Sequence, residues 1–252
     1  MIKLINLLLE VVNQPKAIFL AGPAGSGKST IAKQLIPNTF TSINIDDTYE
    51  ELLKKSGIGL SQKNFTPDQL SQASKLMAQA RKDTTDKLAS QSKDRKNLTI
   101  DGTGGAVKPL LKKKEELEAL GYETFMIMIY VSPITSLERN KNRERSLMPS
   151  IILRTWRDIT KNIDDFKKIF GNNFTLINNE PNESVKDFSA ELIKPYFQDS
   201  TAISGKVKSP EEIAKTKAEK DQLNKDVEQM VKKLPQFDSL ETSKTKINQF
   251  TK

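Results

Sequence analysis

Cysteine and histidine are both absent from this 252-residue chain. Without cysteine there are no disulfides, no zinc thiolates and no thiol nucleophile, and a reducing compartment, the cytoplasm, is the expected setting. Without histidine the commonest general base is missing, so any base must be a carboxylate or a lysine. Long apolar runs are missing as well, and none reaches the length that crosses a bilayer, so no membrane partner is expected. The opening "MIKLINLLLEVV" is broken by Asn6 and Glu10 and has no small-residue cleavage site after it. An amphipathic helix over the first strand is expected there rather than a signal peptide. Arginine is scarce: seven against 33 lysines.

Five of the seven arginines, Arg139, Arg143, Arg145, Arg154 and Arg157, nevertheless fall within nineteen residues. Guanidinium replaces ammonium where planar, bidentate phosphate contacts matter, so this segment is a candidate phosphate-facing element. The formal charge of +8 agrees with an anionic partner such as a nucleotide or nucleic acid. A second concentration is of glycine. "GPAGSGKST" places Gly22 and Gly27 around Pro23, Ala24, Gly25 and Ser26, with Lys28, Ser29 and Thr30 closing it. The spacing is G-x-x-x-x-G-K-[ST], between an apolar run ("KAIFLA") and a helical pattern ("STIAKQLI"). That is the context in which such a loop cradles the phosphates of a nucleoside triphosphate. Lys28 is expected on the β/γ-phosphates and the Ser29 hydroxyl on Mg²⁺, so ATP and Mg²⁺ are the expected cofactors.

Further apolar runs at residues 40–45, 97–100, 124–131 and 174–179 alternate with helical patterns, among them 108–120 and a stretch from Pro149 to about Phe170. Such alternation predicts a doubly wound parallel sheet of five strands, in which ligands bind at the carboxyl ends. The phosphate loop, Asp46 and Asp47, Asp101 and the arginine segment all fall at those ends. "INIDDTYE" is read as a strand followed by a polar connection, with one aspartate as base and the other as a cap. Arg139 and Arg143, four apart, are expected on one helix face as a lid over the transferred phosphoryl group. The chain divides into residues 1–196 and a linker with a helical tail, 197–252. A capping box at Ser209–Glu212 starts that tail. A narrow seam of Leu223, Val227, Met230 and Leu234 suggests a helix that packs on the body or on a protein partner and is separable from the rest.

"GPAGSGKST", "INIDD" and "ERNKNRERSLMP" together resemble the phage-type polynucleotide 5′-kinases and the related zeta-toxin kinases, over about residues 16–170. The resemblance implies a P-loop kinase-like fold with a helical lid. It also implies phosphoryl transfer from ATP to a hydroxyl of a nucleic acid, nucleotide or nucleotide-sugar. Asp46 matches the base of the polynucleotide kinases, whereas the zeta-like pattern fits Asp47-Thr48-Tyr49; Asp46 is preferred. Arg139-Asn140, Arg143 and Pro149 follow the lid pattern. "DGTGG" resembles the stretch after the third strand of the zeta family, which implies Asp101, with Thr103 and Arg145, on the acceptor. The chain departs from the polynucleotide kinases at Tyr49, where they carry an arginine. Thr99 stands where an accompanying phosphatase would need its nucleophilic aspartate. The other reading of the same motifs is a nucleotide-gated, ATP-hydrolysing assembly factor acting through the tail.

Overall fold

The computed structural model describes residues 14–60, 65–102, 104–143, 147–181, 210–234 and 236–251. The helix expected at the N-terminus and Ser209 of the expected capping box fall outside them, as do Thr103 and Arg145. Five strands, β1 (Lys16–Ala21), β2 (Thr41–Ile43), β3 (Leu98–Asp101), β4 (Glu123–Tyr130) and β5 (Phe174–Asn178), form one sheet in the order β2-β3-β1-β4-β5. Every pairing is parallel. The central strands are buried on both faces, which is why "FMIMIY" reads as an unbroken apolar run. Alternate residues still part company. Phe19, Met126 and Met128 enter one core layer, while Ile18, Leu20, Phe125, Ile127 and Ile129 enter the other.

The helices are α1 (Lys28–Leu35), α2 (Ile45–Lys55), α3 (Pro67–Lys93), α4 (Val107–Ala119), α5 (Pro133–Lys141), α6 (Pro149–Thr160), α7 (Ile163–Phe170), α8 (Pro210–Val231) and α9 (Leu240–Thr251). The expected single helix from Pro149 to Phe170 is two, α6 and α7, with Asn162 between them donating to Gly104 O. The polar connection expected after β2 is instead α2. Asn44 leaves the strand extended and its side chain accepts the Asp46 N–H, so Asn44 caps the helix and neither aspartate does. Tyr49 and Leu53 then bury one face of α2, in the apolar cluster that also holds Ala73 and Ala80 of α3.

The C-terminal helices pack on the two core layers. Leu223 and Val227 of α8 are buried in the layer that holds Trp156, and Ile247 and Phe250 of α9 lie in the opposite layer. The seam, expected to pack on the body or on a partner, packs on the body, with Met230 and Leu234 also against that layer. Between these helices the chain passes the open edge of β5. There the Asp238 N–H donates to Leu176 O at 2.8 Å and the Asp238 carboxylate accepts from the Leu176 N–H and the Thr175 hydroxyl. An unpaired strand edge is thereby closed. Among the described residues no helix is long and apolar enough to cross a membrane.

Candidate nucleotide and phosphoryl-transfer site

The chain leaves β1 through Gly22, whose backbone lies against β4; a Cβ there would sit 2.5 Å from Ile129 O. It re-enters helix at Gly27, φ 84°, a left-handed conformation that only glycine adopts without strain. No side chain caps α1, so its first N–H groups face the cleft with the positive end of the helix. Ser26 Oγ is also buried there without a hydrogen-bond partner. Orphan N–H groups and an orphan hydroxyl on one concave loop fit a phosphate chain. Lys28 folds back on the loop, its ammonium donating to Gly22 O at 2.8 Å. Burial lowers its pKa, Asp101 and Asp46 oppose that, and Arg143 adds to it.

The loop is strapped from behind. Arg139 of α5 donates to Gly25 O at 3.0 Å and to Asn179 O at 3.1 Å, and Asn179 Nδ2 donates to Ser26 O at 2.8 Å. Both carbonyls are thereby held by side chains, while the Ser26 N–H closes a turn on Pro23 O at 3.1 Å. α5 ends at Lys141, so Arg143 does not share a helical face with Arg139 as its spacing suggested; it follows the Asn142 cap. Its loop is pinned at both ends, because Asn140 Nδ2 donates to Leu147 O and Asn140 Oδ1 accepts from the Leu147 N–H, both at 2.9 Å. Glu180 holds the other end of α5 through the Ser132 N–H, the Ser132 hydroxyl and the Thr135 hydroxyl.

One cleft of about 680 Å³ is lined by Ala24 to Thr30, Asp46, Asp47, Asp101, Arg139 and Arg143. The predicted residues from four regions therefore meet, while Gly22 and Pro23 stand behind, their carbonyls facing Lys28. Asp101 at the end of β3 is pushed up to about 6 by burial, against the pull of Lys28. Burial and the nearby Glu50 raise Asp47. Sequence reasoning missed Asn44, Glu50, Leu147, Thr155 and Asn179, which also line the cleft. Asn44 donates to Asp101 Oδ2 at 3.3 Å. The available signal was position: Asn44 and Asn179 each directly follow a strand's carboxyl end. Among the described residues no three acidic side chains are grouped to hold a metal ion alone. A cation brought by a triphosphate and met by the Ser29 hydroxyl is compatible with that set.

The sequence profile of a family described as an AAA domain matches residues 18–150. No curated protein matches the sequence. Among solved structures, a chain of the AvrRxo1-ORF1:-ORF2 complex with ATP is 13% identical, with 95% of this chain and 81% of that one covered and a TM-score of 0.50. A structure from the PezAT chromosomal toxin-antitoxin system of Streptococcus pneumoniae is 21% identical, covering 85% of this chain and 88% of that one, with a TM-score of 0.43. Sheet order, loop and family match together make this a P-loop kinase-like α/β fold.

Proposed function

We propose that this chain, which belongs to the AAA domain family, transfers the γ-phosphoryl group of ATP to a hydroxyl of a nucleic acid, nucleotide or nucleotide-sugar in a reducing, cytoplasmic setting. The observation that carries the reading is that Lys28, Asp46, Asp101 and Arg143 line one cleft, near enough for both carboxylates and the guanidinium to act on the Lys28 ammonium. A hydroxyl acceptor needs a carboxylate at the attacking oxygen and positive charge over the transferred group, and this cleft holds both.

In this reading the loop N–H groups bind the phosphates, and Lys28 exchanges its bond to Gly22 O for the β/γ-phosphates. Mg²⁺ would enter with ATP, be held by the Ser29 hydroxyl, and neutralise charge on the phosphates. Asp46 accepts the hydroxyl proton, with Asp47 as the alternative, and Asp101 helps orient the acceptor. Arg143 stabilises charge on the departing phosphoryl group, whereas Arg139 positions the loop. The chain's likeness in fold to a protein whose structure was determined with ATP supports the choice of nucleotide. The test is a screen with γ-labelled ATP against 5′-hydroxyl oligonucleotides, nucleosides and UDP-sugars. Label on an organic acceptor is the expected result; label released only as inorganic phosphate would make the protein an ATPase instead.

A further inference from the structure

A second cavity, of about 530 Å³, opens beside the first residues of β5, away from the carboxyl end that meets the phosphate loop. It shares no lining residue with the nucleotide cleft. Its volume is that of a small-molecule site. Buried Ile163, Phe174 and Leu176 form an apolar floor. Around the rim stand Lys167 of α7, Asn172 of the turn after it, Gln236 of the segment between α8 and α9, and Gln249 of α9.

The charges in this cavity are not equally available. The Lys246 ammonium donates to Phe174 O at 3.3 Å and to the two Asp238 oxygens at 3.1 and 3.2 Å, which engages its three N–H groups. Asp238, the one acid among the described lining residues, also accepts from the Leu176 N–H and the Thr175 hydroxyl. Burial raises its pKa, but the Leu176 N–H, Lys246 and Thr175 lower it by more, so the pair stays ionised and closed on itself. Among the described residues, Lys167 forms no ion pair, and the side-chain amides of Asn172, Gln236 and Gln249 form no hydrogen bond. One ammonium and three amides therefore remain for a ligand.

We infer that this cavity binds a small organic monoanion, an apolar body bearing one carboxylate. The body covers Phe174 and Leu176, the carboxylate pairs with the Lys167 ammonium, and the rim amides donate to its remaining lone pairs. One free positive charge matches one negative charge, whereas a phosphate dianion would leave a charge unmet. A cation would meet Lys167 as a like charge and find no free carboxylate, because Asp238 is held by the bonds that close the edge of β5. The inference does not depend on the kinase reading.

The experiment titrates the isotope-labelled full chain with three probes of one shape, 2-naphthoate, 2-naphthamide and 2-naphthylmethylammonium, followed by nuclear magnetic resonance. The signals of Asn172, Gln236 and Gln249 report this cavity, and those of Gly25 to Ser29 report the nucleotide cleft. Naphthoate should saturate the first set at low-millimolar concentration, bind about fivefold more tightly than the neutral amide, and leave the ammonium weakest. Lys167→Gln should bring naphthoate and naphthamide together, and Lys167→Glu should turn the order toward the ammonium. Both variants should melt as the unaltered chain does, since Lys167 is exposed. Equal affinity for the three probes, an order that Lys167→Glu leaves unchanged, naphthoate shifts confined to Gly25–Ser29, or no saturation by about 10 mM overturns the inference.

Discussion

The Arg139 guanidinium donates to the Asn179 carbonyl at 3.1 Å, and the two side chains hold the adjacent carbonyls of Gly25 and Ser26. Residues forty apart in sequence thus set the shape of a loop more than a hundred residues before them. Asn179→Ala removes the bond to Ser26 O and lets that peptide rotate. ATP affinity should fall about three- to tenfold, the worth of one such hydrogen bond, while turnover at saturating ATP changes little. Calorimetry with ATP·Mg²⁺ and steady-state kinetics separate the two quantities; a loss confined to turnover would contradict the strap.

Arg143 lines the cleft from a loop pinned by Asn140 and Leu147. Arg143→Ala should lower turnover by about 10³-fold, the range for an arginine acting on a transferred phosphoryl group, with melting temperature nearly unchanged. Lysine should rescue poorly, because an ammonium cannot span two oxygens as a planar fork does. Single-turnover kinetics on the acceptor found in the screen would show it.

Asp46 and Asp47 are neighbours on the first turn of α2. Asp46→Asn should cut turnover about a hundredfold or more and leave ATP affinity intact, since a base acts on the acceptor. The same change at Asp47 should be milder. The reverse order would move the base to Asp47.

Asp101 has its pKa raised to about 6 by burial. The native state therefore holds this proton more tightly than the unfolded chain, whose aspartate titrates near 4. Stability contributed by the protonated group is present below pH 4 and is lost as pH rises from about 4 to 6. Asp101→Asn should abolish that slope and, at pH 7 without nucleotide, raise stability by up to about 3 kcal/mol. Urea denaturation of both proteins across pH 4 to 7 measures it.

Leu223, Val227, Ile247 and Phe250 are buried in the two core layers. Each such side chain contributes about 1.5–3 kcal/mol on burial, so together they rival the whole margin of a typical domain. A chain ending before Pro210 should melt at least about 10 °C lower or aggregate. Val227→Asp in the full-length chain should destabilise in the same direction. A truncated chain with unchanged melting would show that these helices only decorate the surface.

The sequence by itself determined the phosphate loop, the five parallel strands and the regions that meet at their carboxyl ends. Each of these is local chemistry: glycine for left-handed backbone, a lysine at a helix start, apolar runs too continuous for an exposed strand. Tertiary structure decided the rest. Asn44 could not be chosen as the cap over Asp46 until the strand was seen to end at Ile43. Arg139 and Arg143 share a helical spacing, yet α5 stops between them, and only the meeting of Arg139 with Asn179, just after β5, sets it against the loop carbonyls. The seam of α8 looked narrow because periodicity counts the apolar residues of one helix alone. It cannot see that Trp156 and its neighbours on α6 supply the other half of the contact, and burial belongs to the pair rather than to either sequence.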